Sequence, residues 1–389
     1  MHKIKLLRIT TETYSMHILL KGQLNFMSQK GLEVYMASTP DAHVPALEEQ
    51  QNAKFFPLPL SRELTPVKDL IALYHTIRLI QKLKPQIVHT HSPKAGVVGM
   101  LAAFLCSVPV KIHTVAGLPL MEVTGAKRKL LNFVESFTYW CADWVLPNSQ
   151  ELKKFILDHD FTRPSKVKVM GNGSSNGMDL AYFSITQDLL AEGEAFRQEH
   201  GITEEHTILT FMGRLAFYKG INELVEAFQI LQKKYSNLKL LLIGAPEELN
   251  PLKESTKNEV INNKDIISVG HQIDVRKFLA VSDIFVFPSY REGFPQALMQ
   301  ASAMGLPSVA TNINGCNEIL ENGKTGILIE PKSVEAIVDA ASQLLDDEQG
   351  RIIMAKAAQN FITTNFEQKK LWQMIYDFYV DCVGKTGLK

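Results

Sequence analysis

Short apolar runs rich in branched side chains recur at residues 4–10, 33–38, 87–92, 110–117, 144–149 and 167–171, separated by longer amphipathic stretches. Each run is apolar throughout instead of alternating, which is how strands buried on both faces read. Strands alternating with helical segments predict a parallel sheet covered by helices on both sides. The pattern pauses at Gly171-Asn-Gly-Ser-Ser-Asn-Gly-Met-Asp179, a Gly/Asn/Ser cluster that reads as a loop and linker. It restarts with runs at 208–213, 238–244, 266–270, 284–288, 308–311 and 326–329. The chain is therefore expected to form two doubly wound α/β domains, residues 1–178 and 179–365, facing each other across a cleft. The last segment, 366–389, sets Leu371, Met374, Ile375 and Phe378 at helical spacing and needs a surface to pack on.

Composition narrows the chemistry. The 389 residues are 46% hydrophobic, enough for a core in each domain. With 41 basic and 41 acidic side chains the formal charge is zero, so no global field attracts nucleic acid or an anionic membrane. Any anion must be bound locally. The N-terminal residues lack the apolar core and cleavage site of a signal peptide, and no run approaches the roughly 18 apolar residues of a membrane span. Cys106, Cys141, Cys316 and Cys382 are too scattered for a metal finger or redox pair. A cytoplasmic protein with free thiols is expected.

The segment Tyr290-Arg-Glu-Gly-Phe-Pro-Gln-Ala-Leu-Met-Gln300 follows an apolar strand and opens a helix. The first amides of a helix lack partners and sit at the positive end of its dipole, which favours an anion. Pro295 has no N–H, so the amides expected to serve are those of Gly293, Phe294, Gln296 and Ala297. Glu292 beside them is suited to gripping a hydroxylated group, or else is a carboxylate answering the helix dipole. Earlier in the same half, Phe211-Met-Gly-Arg-Leu-Ala-Phe-Tyr-Lys-Gly220 ends a strand. Gly213 lets the backbone approach a ligand, and Arg214 and Lys219 are either solvated loop cations or the planar fork and mobile charge that suit a diphosphate.

With those residues in place, the chain resembles the retaining glycosyltransferases of family 4, which have the two-domain GT-B fold. The likeness rests on Gly213-Arg214 with Lys219, on Arg291-Glu292-Gly293-Phe294-Pro295 and on Asn314-Gly315-Cys316-Asn317-Glu318. It implies two Rossmann-like domains, an acceptor-binding one and a nucleotide-sugar-binding one, with the terminal helix crossing back to the first. It implies that Arg214 and Lys219 hold the diphosphate, that Glu292 contacts the donor sugar and that no metal or other cofactor is needed. The family's second Glu falls on Gln300; an amide has one acceptor oxygen where a carboxylate has two, so ribose binding is expected to be weaker or rearranged. His113 is expected to face the donor sugar. The loop after the first strand, which lacks the family's Gly-Gly pair, offers Thr11, Ser15 and Met16 to phosphate or acceptor.

The resemblance further implies transfer of a hexose or N-acetylhexosamine from a nucleotide sugar, UDP before GDP, to a saccharide with retained configuration. His113-Thr-Val-Ala-Gly-Leu-Pro119 and Asn314–Glu318 look most like bacterial enzymes of capsule, O-antigen or protein glycan synthesis, implying a polyprenyl-diphosphate-linked acceptor at the inner membrane face. Non-hydrolysing UDP-sugar 2-epimerases share the fold and stand as an alternative. A degenerate transferase serving as a binding subunit is another.

Other features carry two readings each. His89 and His91 share a strand face at a spacing a metal could use, but no third ligand is evident and a hydrogen-bonded strand end fits as well. Asp158-His159-Asp160 reads as the solvated end of a helix. The cluster 171–177 is a plain loop or an acceptor contact. From Ala126 onward, Lys127, Arg128 and Lys129 precede Leu130, Phe133, Val134 and Phe137 at helical spacing. That segment is either a core helix with a basic end or a docking element for an anionic membrane or lipid diphosphate.

Overall fold

The computed structural model describes residues 3–61, 65–118, 120 and 123–387. Pro119, the last residue of the tract begun by His113, lies outside them. The chain divides into two compact units, Met1–Gly177 with Gln368–Lys389, and Met178–Glu367.

Unit 1 contains β1 (Lys5–Glu12), β2 (Glu33–Thr39), β3 (Lys54–Pro57), β4 (Ile87–His91), β5 (Val110–Val115) and β6 (Trp144–Pro147), all parallel and ordered β3-β2-β1-β4-β5-β6. Its helices are α1 (Thr13–Leu19), α2 (Gln23–Gln29), α3 (Val44–Gln51), α4 (Pro66–Leu83), α5 (Pro93–Leu105), α6 (Gly125–Cys141) and α7 (Gln150–Asp158). Leu7, Ile9 and Val88 pack towards α4, α5 and α6, while Leu6, Met36 and Ile112 pack towards α2. This is the period-2 alternation of a sheet covered on both faces.

Two expectations change here. Residues 167–171 form no strand: Val167 makes a single bridge to Val145, and the chain then turns through Gly171 and Gly173 at positive φ. β3, by contrast, was not anticipated, because an edge strand of four residues ending in Pro, with only Phe55 buried, has too short a pattern to read.

Unit 2 repeats the plan. β7 (Thr207–Met212), β8 (Leu238–Ile243), β9 (Ile266–Ser268), β10 (Ile284–Phe287), β11 (Ser308–Thr311) and β12 (Ile327–Ile329) are ordered β12-β11-β10-β7-β8-β9, the same winding. Around them lie α8 (Gln187–Glu199), α9 (Ile221–Lys234), α10 (Glu254–Asn262), α11 (Arg276–Ala280), α12 (Gln296–Ala303), α13 (Cys316–Ile319), α14 (Val334–Asp346) and α15 (Glu348–Asn365). Ser149, Thr186, Ser333 and Asp347 each accept from a first-turn amide and so cap α7, α8, α14 and α15.

The last helix, α16 (Gln368–Lys385), belongs to unit 1. It buries Leu371, Ile375 and Phe378 there, together with Trp372 and Tyr379. Met374, expected on the same face, is 48% exposed. The helix is held by polar contacts as well: Trp372 Nε1 donates to Asn176 Oδ1 at 2.8 Å, and Gln23 Nε2 donates to the same oxygen at 3.1 Å. Asn176 Nδ2 in turn donates to the Lys21 carbonyl at 3.0 Å. The cluster 171–177 is thus a wired seat for α16 within unit 1.

Candidate functional site

In unit 2 the chain leaves β7 towards β8 on one side of the sheet and leaves β10 towards β11 on the other. A crevice opens where such a winding reverses, outside the carboxyl ends of the two strands, and ligands of doubly wound sheets bind there. Both sequence segments singled out above hang from this point.

After β7, the 3-10 turn at Phe217–Lys219 ends on Gly220, which has φ +72° and starts α9. A Cβ there would lie 2.1 Å from the Pro288 carbonyl oxygen, so only glycine lets this turn press against the end of β10. The consequence is direct: Lys219 Nζ meets Glu292 Oε1 in an ion pair whose members are each 13% exposed. Lysine carries three N–H donors, so one can stay on Glu292 while others reach phosphate oxygens. Arg214, at the same strand end, is open to solvent on one side and is held by Glu247 Oε2 at 2.9 Å.

Glu247 is the hub of that second pair. Tyr218 donates its hydroxyl to Oε2 at 2.8 Å, and Asn250 Nδ2 donates to Oε1 at 2.7 Å. Burial alone would raise the Glu247 carboxyl, but those hydrogen bonds and the Arg214 charge outweigh it and hold it below the usual range. The Tyr218 phenol is pushed up to about 12 by burial and by its bond to Glu247. Its ring also underlies the Arg291 guanidinium, 4.4 Å from the centroid. Neither Tyr218 nor Glu247 was picked out from the sequence. A carboxylate four residues past the end of β8 was the available signal for Glu247.

The second loop is fixed from below. Asn314 Nδ2 donates to the carbonyls of Glu292 and Gly293 at 2.9 and 3.0 Å. Gly315, φ +79°, lies so close that a Cβ would come within 2.6 Å of the Gly293 oxygen. Helix α12 follows with Pro295 as its N-cap, and its first backbone bond closes from Met299 to Pro295. The amides of Ala297 and Leu298 precede that bond in the first turn, where an α-helix has no carbonyl four residues back to accept them. Gln296, Ala297 and Gln300 are half-buried on one side of α12, whereas Leu298, Met299 and Ala301 enter the core. The Phe294 ring packs on Phe366, 5.4 Å between centroids, which anchors the backbone before α12, and the Gly213 amide donates to Ile243 O in the sheet ladder at 2.9 Å.

Unit 1 holds the remaining candidates, and several move. β1 extends to Glu12 and Thr13 already starts α1, so the expected loop is largely helix. Thr11 lies at the β1/β4 reversal, its Oγ1 2.8 Å from Ser92 Oγ. Ser15 is half-buried on α1, but Met16 is wholly buried in the core and presents nothing to an acceptor.

His113 is placed in the core too. Its ring packs between Gly96 of α5 and Tyr139, and its Nδ1 is 2.8 Å from Thr90 Oγ1. Burial, with a smaller push from Arg8, lowers its pKa to about 3. A donor-sugar contact by His113 is therefore not what the structure presents; the strand position points it at α5 rather than out of the strand end.

On the opposite face of the sheet Arg8 donates to His89 Nδ1, which makes that nitrogen the acceptor and leaves His89 Nε2 to donate to Thr114 Oγ1 at 2.7 Å. Tyr379 of α16 completes the cluster, 3.1 Å from Arg8 Nη1. His91 is buried with neither ring nitrogen hydrogen-bonded. Among the described residues no group of three His, Cys, Asp or Glu side chains is arranged to hold a metal.

In α6, Lys127 and Lys129 are exposed, but Arg128 is engaged: it donates to Asn132 Oδ1 and the Leu120 carbonyl and lies over the Phe155 ring.

Comparison with known proteins follows the same two-part division. Residues 192–361 match the family model described as glycosyl transferases group 1, and residues 26–173 match the glycosyl transferase 4-like domain. The capsular polysaccharide biosynthesis glycosyltransferase CapM of Staphylococcus aureus is 31% identical over 361 residues, 93% of each chain. An Escherichia coli UDP-Gal:alpha-D-GlcNAc-diphosphoundecaprenol alpha-1,3-galactosyltransferase is 30% identical over 340 residues, 87% of this chain and 86% of that one. Among solved structures, Anabaena HepE in complex with UDP and glucose superposes with a TM-score of 0.81 at 17% identity, covering 97% of this chain and all of that one, which speaks to the fold. The same winding in both units, the loops gathered at the reversal point of unit 2 and these matches lead to one conclusion: the chain belongs to the group 1 glycosyl transferases and is a glycosyltransferase of the family 4 type with the GT-B fold.

Proposed function

We propose that this glycosyltransferase moves a hexose or N-acetylhexosamine from UDP to a saccharide carried on a polyprenyl diphosphate, with retention at the anomeric carbon, in capsule or related glycan synthesis. The observation that carries the reading is the Lys219–Glu292 ion pair at the β7/β10 reversal, with Arg214 beside it and the first amides of α12. Glu292 and Lys219 bring a sugar-gripping carboxylate and a phosphate-binding cation to one point. That combination suits a sugar diphosphate better than either part alone. The names of the two relatives, capsular synthesis in one and a diphosphoundecaprenol-linked acceptor with a UDP sugar in the other, support the donor and acceptor classes.

In this reading the bond between the anomeric carbon and the diphosphate oxygen breaks as the acceptor hydroxyl oxygen bonds to the same face of that carbon. The hydroxyl proton passes to the departing diphosphate, so no protein nucleophile is needed. Arg214 and Lys219 stabilise the charge developing on the diphosphate, the electrostatic part of the reaction, without a metal. Glu292 holds sugar hydroxyls, and the α12 amides with Gln300 take the nucleotide side. The lipid-linked acceptor places the enzyme at the cytoplasmic face of a membrane.

A panel of labelled UDP and GDP sugars, each incubated with and without a polyprenyl-diphosphate-linked glycan, tests this. A labelled lipid product from a UDP sugar, and from none of the GDP sugars, is the expected result. Consumption of a UDP sugar with no acceptor present, yielding its 2-epimer, would sink the transferase assignment of this site.

A further inference from the structure

The apolar stripe of α6 faces the wrong way for a core helix. Its buried side is formed by Glu135, Thr138 and Tyr139, while Leu130, Phe133 and Trp140 are 52%, 68% and 59% exposed. At 100° per residue Leu130, Phe133, Phe137 and Trp140 fall within one arc opposite the buried one. Their rings are ordered against one another: Phe133 and Phe137 stack at 6.3 Å, Phe137 and Trp140 at 6.1 Å, and Trp140 meets the exposed Phe104 of α5 at 4.8 Å. Between this stripe and the turn after α7 runs a groove of about 610 Å³, its wall continued by Phe161, Arg163 and Lys166. On the other flank of α5, α4 turns Leu70 and Tyr74 outward as well. Contiguous exposed aromatic surface of this kind marks an interaction site.

The charges around it choose the partner. The exposed charges of α6 are cations, Lys127 and Lys129; its only carboxylate, Glu135, is buried. Residues 161–168 add Arg163 and Lys168, both exposed, and no acid. The acids nearest in sequence are Glu122 before α6, Asp143 just after it, where Lys111 pairs with it at 2.9 Å, and Asp158 and Asp160 at the end of α7; the cations outnumber them. A chain with zero formal charge has thus set an excess of exposed cations along a stripe of Phe, Trp and Leu. A second protein surface would be answered by apolar side chains alone; the cationic rim calls for an anionic one. Aromatic rings over a basic margin suit the headgroup layer of a bilayer, where the ring body is apolar and the edge is wet. No helix among the described residues is long and apolar enough to cross a membrane, so such contact is interfacial.

We propose that the exposed face of α6, with Phe104 of α5 and the Arg163 turn, docks unit 1 onto an anionic lipid bilayer, Phe133 and Trp140 entering the headgroup layer and Lys127, Lys129 and Arg163 meeting the phosphates. This inference stands whether or not the donor and acceptor assigned above are right, because it concerns a surface and not the reaction.

The test is sedimentation of the full chain with vesicles of phosphatidylglycerol and phosphatidylethanolamine, against vesicles of phosphatidylcholine. The wild-type chain is expected to sediment with the anionic vesicles only. Phe133→Ser with Trp140→Ser weakens binding about a hundredfold, and Lys127→Gln with Lys129→Gln roughly tenfold. These side chains are exposed, so the variants should melt where the parent does. A second measurement reads the contact directly: brominated lipid should quench the fluorescence of Trp140 in the wild-type chain, and a Trp140→Tyr chain should lose that quenching, since Trp372 and Trp144 both pack on the other face of the sheet. Equal binding by the aromatic variant, or no quenching, overturns the proposal. So does self-association in the absence of lipid that Phe133→Ser abolishes, which would assign the face to a second copy.

Discussion

In unit 2 the strands β7, β8 and β10 are apolar along nearly their whole length, interrupted only by Thr207, Thr210 and Lys239, and the ionisable groups gather past their carboxyl ends. In unit 1 the central strands β1, β4 and β5 carry Arg8, His89, His91 and His113 into the interior. The winding is the same, so topology does not require the difference. An apolar sheet leaves the loops of unit 2 free to specialise: Lys219, Arg214, Glu247 and Glu292 sit at the rim, where a ligand can reach them. The polar interior of unit 1 instead joins layers, with Arg8 and His89 meeting Tyr379 of α16 and His113 meeting Thr90. Buried charge of this sort costs several kcal/mol unless hydrogen-bonded, and it makes unit 1 the more sensitive of the two to acid.

The widest separation between the units should come from acid. Burial, and then the Arg8 charge, holds the pKa of His89 and His91 well below 6.5 and that of His113 at about 3. The unfolded chain then binds more protons than the folded one below pH 6.5, so stability falls as pH falls. For His113 alone the loss by about pH 4.5 is about 2.7 kcal/mol. Glu135 works against this: burial raises its carboxyl from 4.5 to about 7, so its contribution is present at low pH and is lost as pH rises through about 7. Three histidines outweigh one glutamate, and a net loss of several kcal/mol is expected. Hydrogen exchange at pH 7 and pH 5, read separately for peptides of each unit, should show unit 1 opening first; parallel opening would mean that the buried histidines do not distinguish the units.

Next in size is the converse, a change that silences unit 2 without unfolding it. Lys219→Met should lower turnover about 10²–10³-fold, the usual loss when one stabilising charge at a reacting oxyanion is removed, while circular dichroism shows the chain still folded at the assay temperature. Full turnover in the folded variant would remove Lys219 from the reaction.

A smaller effect, confined to unit 1, is expected for Gly96→Ala. The new Cβ would stand 2.4 Å from the His113 ring, and overpacking a filled core typically costs about 1–3 kcal/mol. Urea unfolding measures it, and donor binding by unit 2 serves as the control. The smallest effect is Gln300→Glu, which restores a second carboxylate oxygen on the open side of α12 and should tighten UDP-sugar binding by less than about tenfold, a single charge-assisted hydrogen bond. Calorimetric titration with no change beyond error would place Gln300 away from the ribose.

Much of this was legible in the chain itself. Runs apolar on both faces can only be strands covered on both sides, and all but one of those read from the sequence are strands here. That Arg214, Lys219 and Glu292 lie just past strand ends was legible because a strand followed by glycine and charge is a local signal. The misplacements share a physical cause. Met16 and His113 sit in segments whose neighbours look like loop or strand end, and which face a side chain takes depends on where β1 stops and how β5 registers with α5.

The sequence by itself determined the two doubly wound units and the strand ends that carry charge, because periodicity and turn chemistry are local properties. Tertiary structure alone decided that Lys219 pairs with Glu292, 73 residues away, and Arg214 with Glu247. It decided that α6 turns its aromatic stripe outward, since the burial of a helix face depends on what lies opposite. The same spacing of Leu130, Phe133 and Phe137 fits an inward and an outward stripe equally well; only the packing of α5 and the sheet against Tyr139 and Glu135 chose between them.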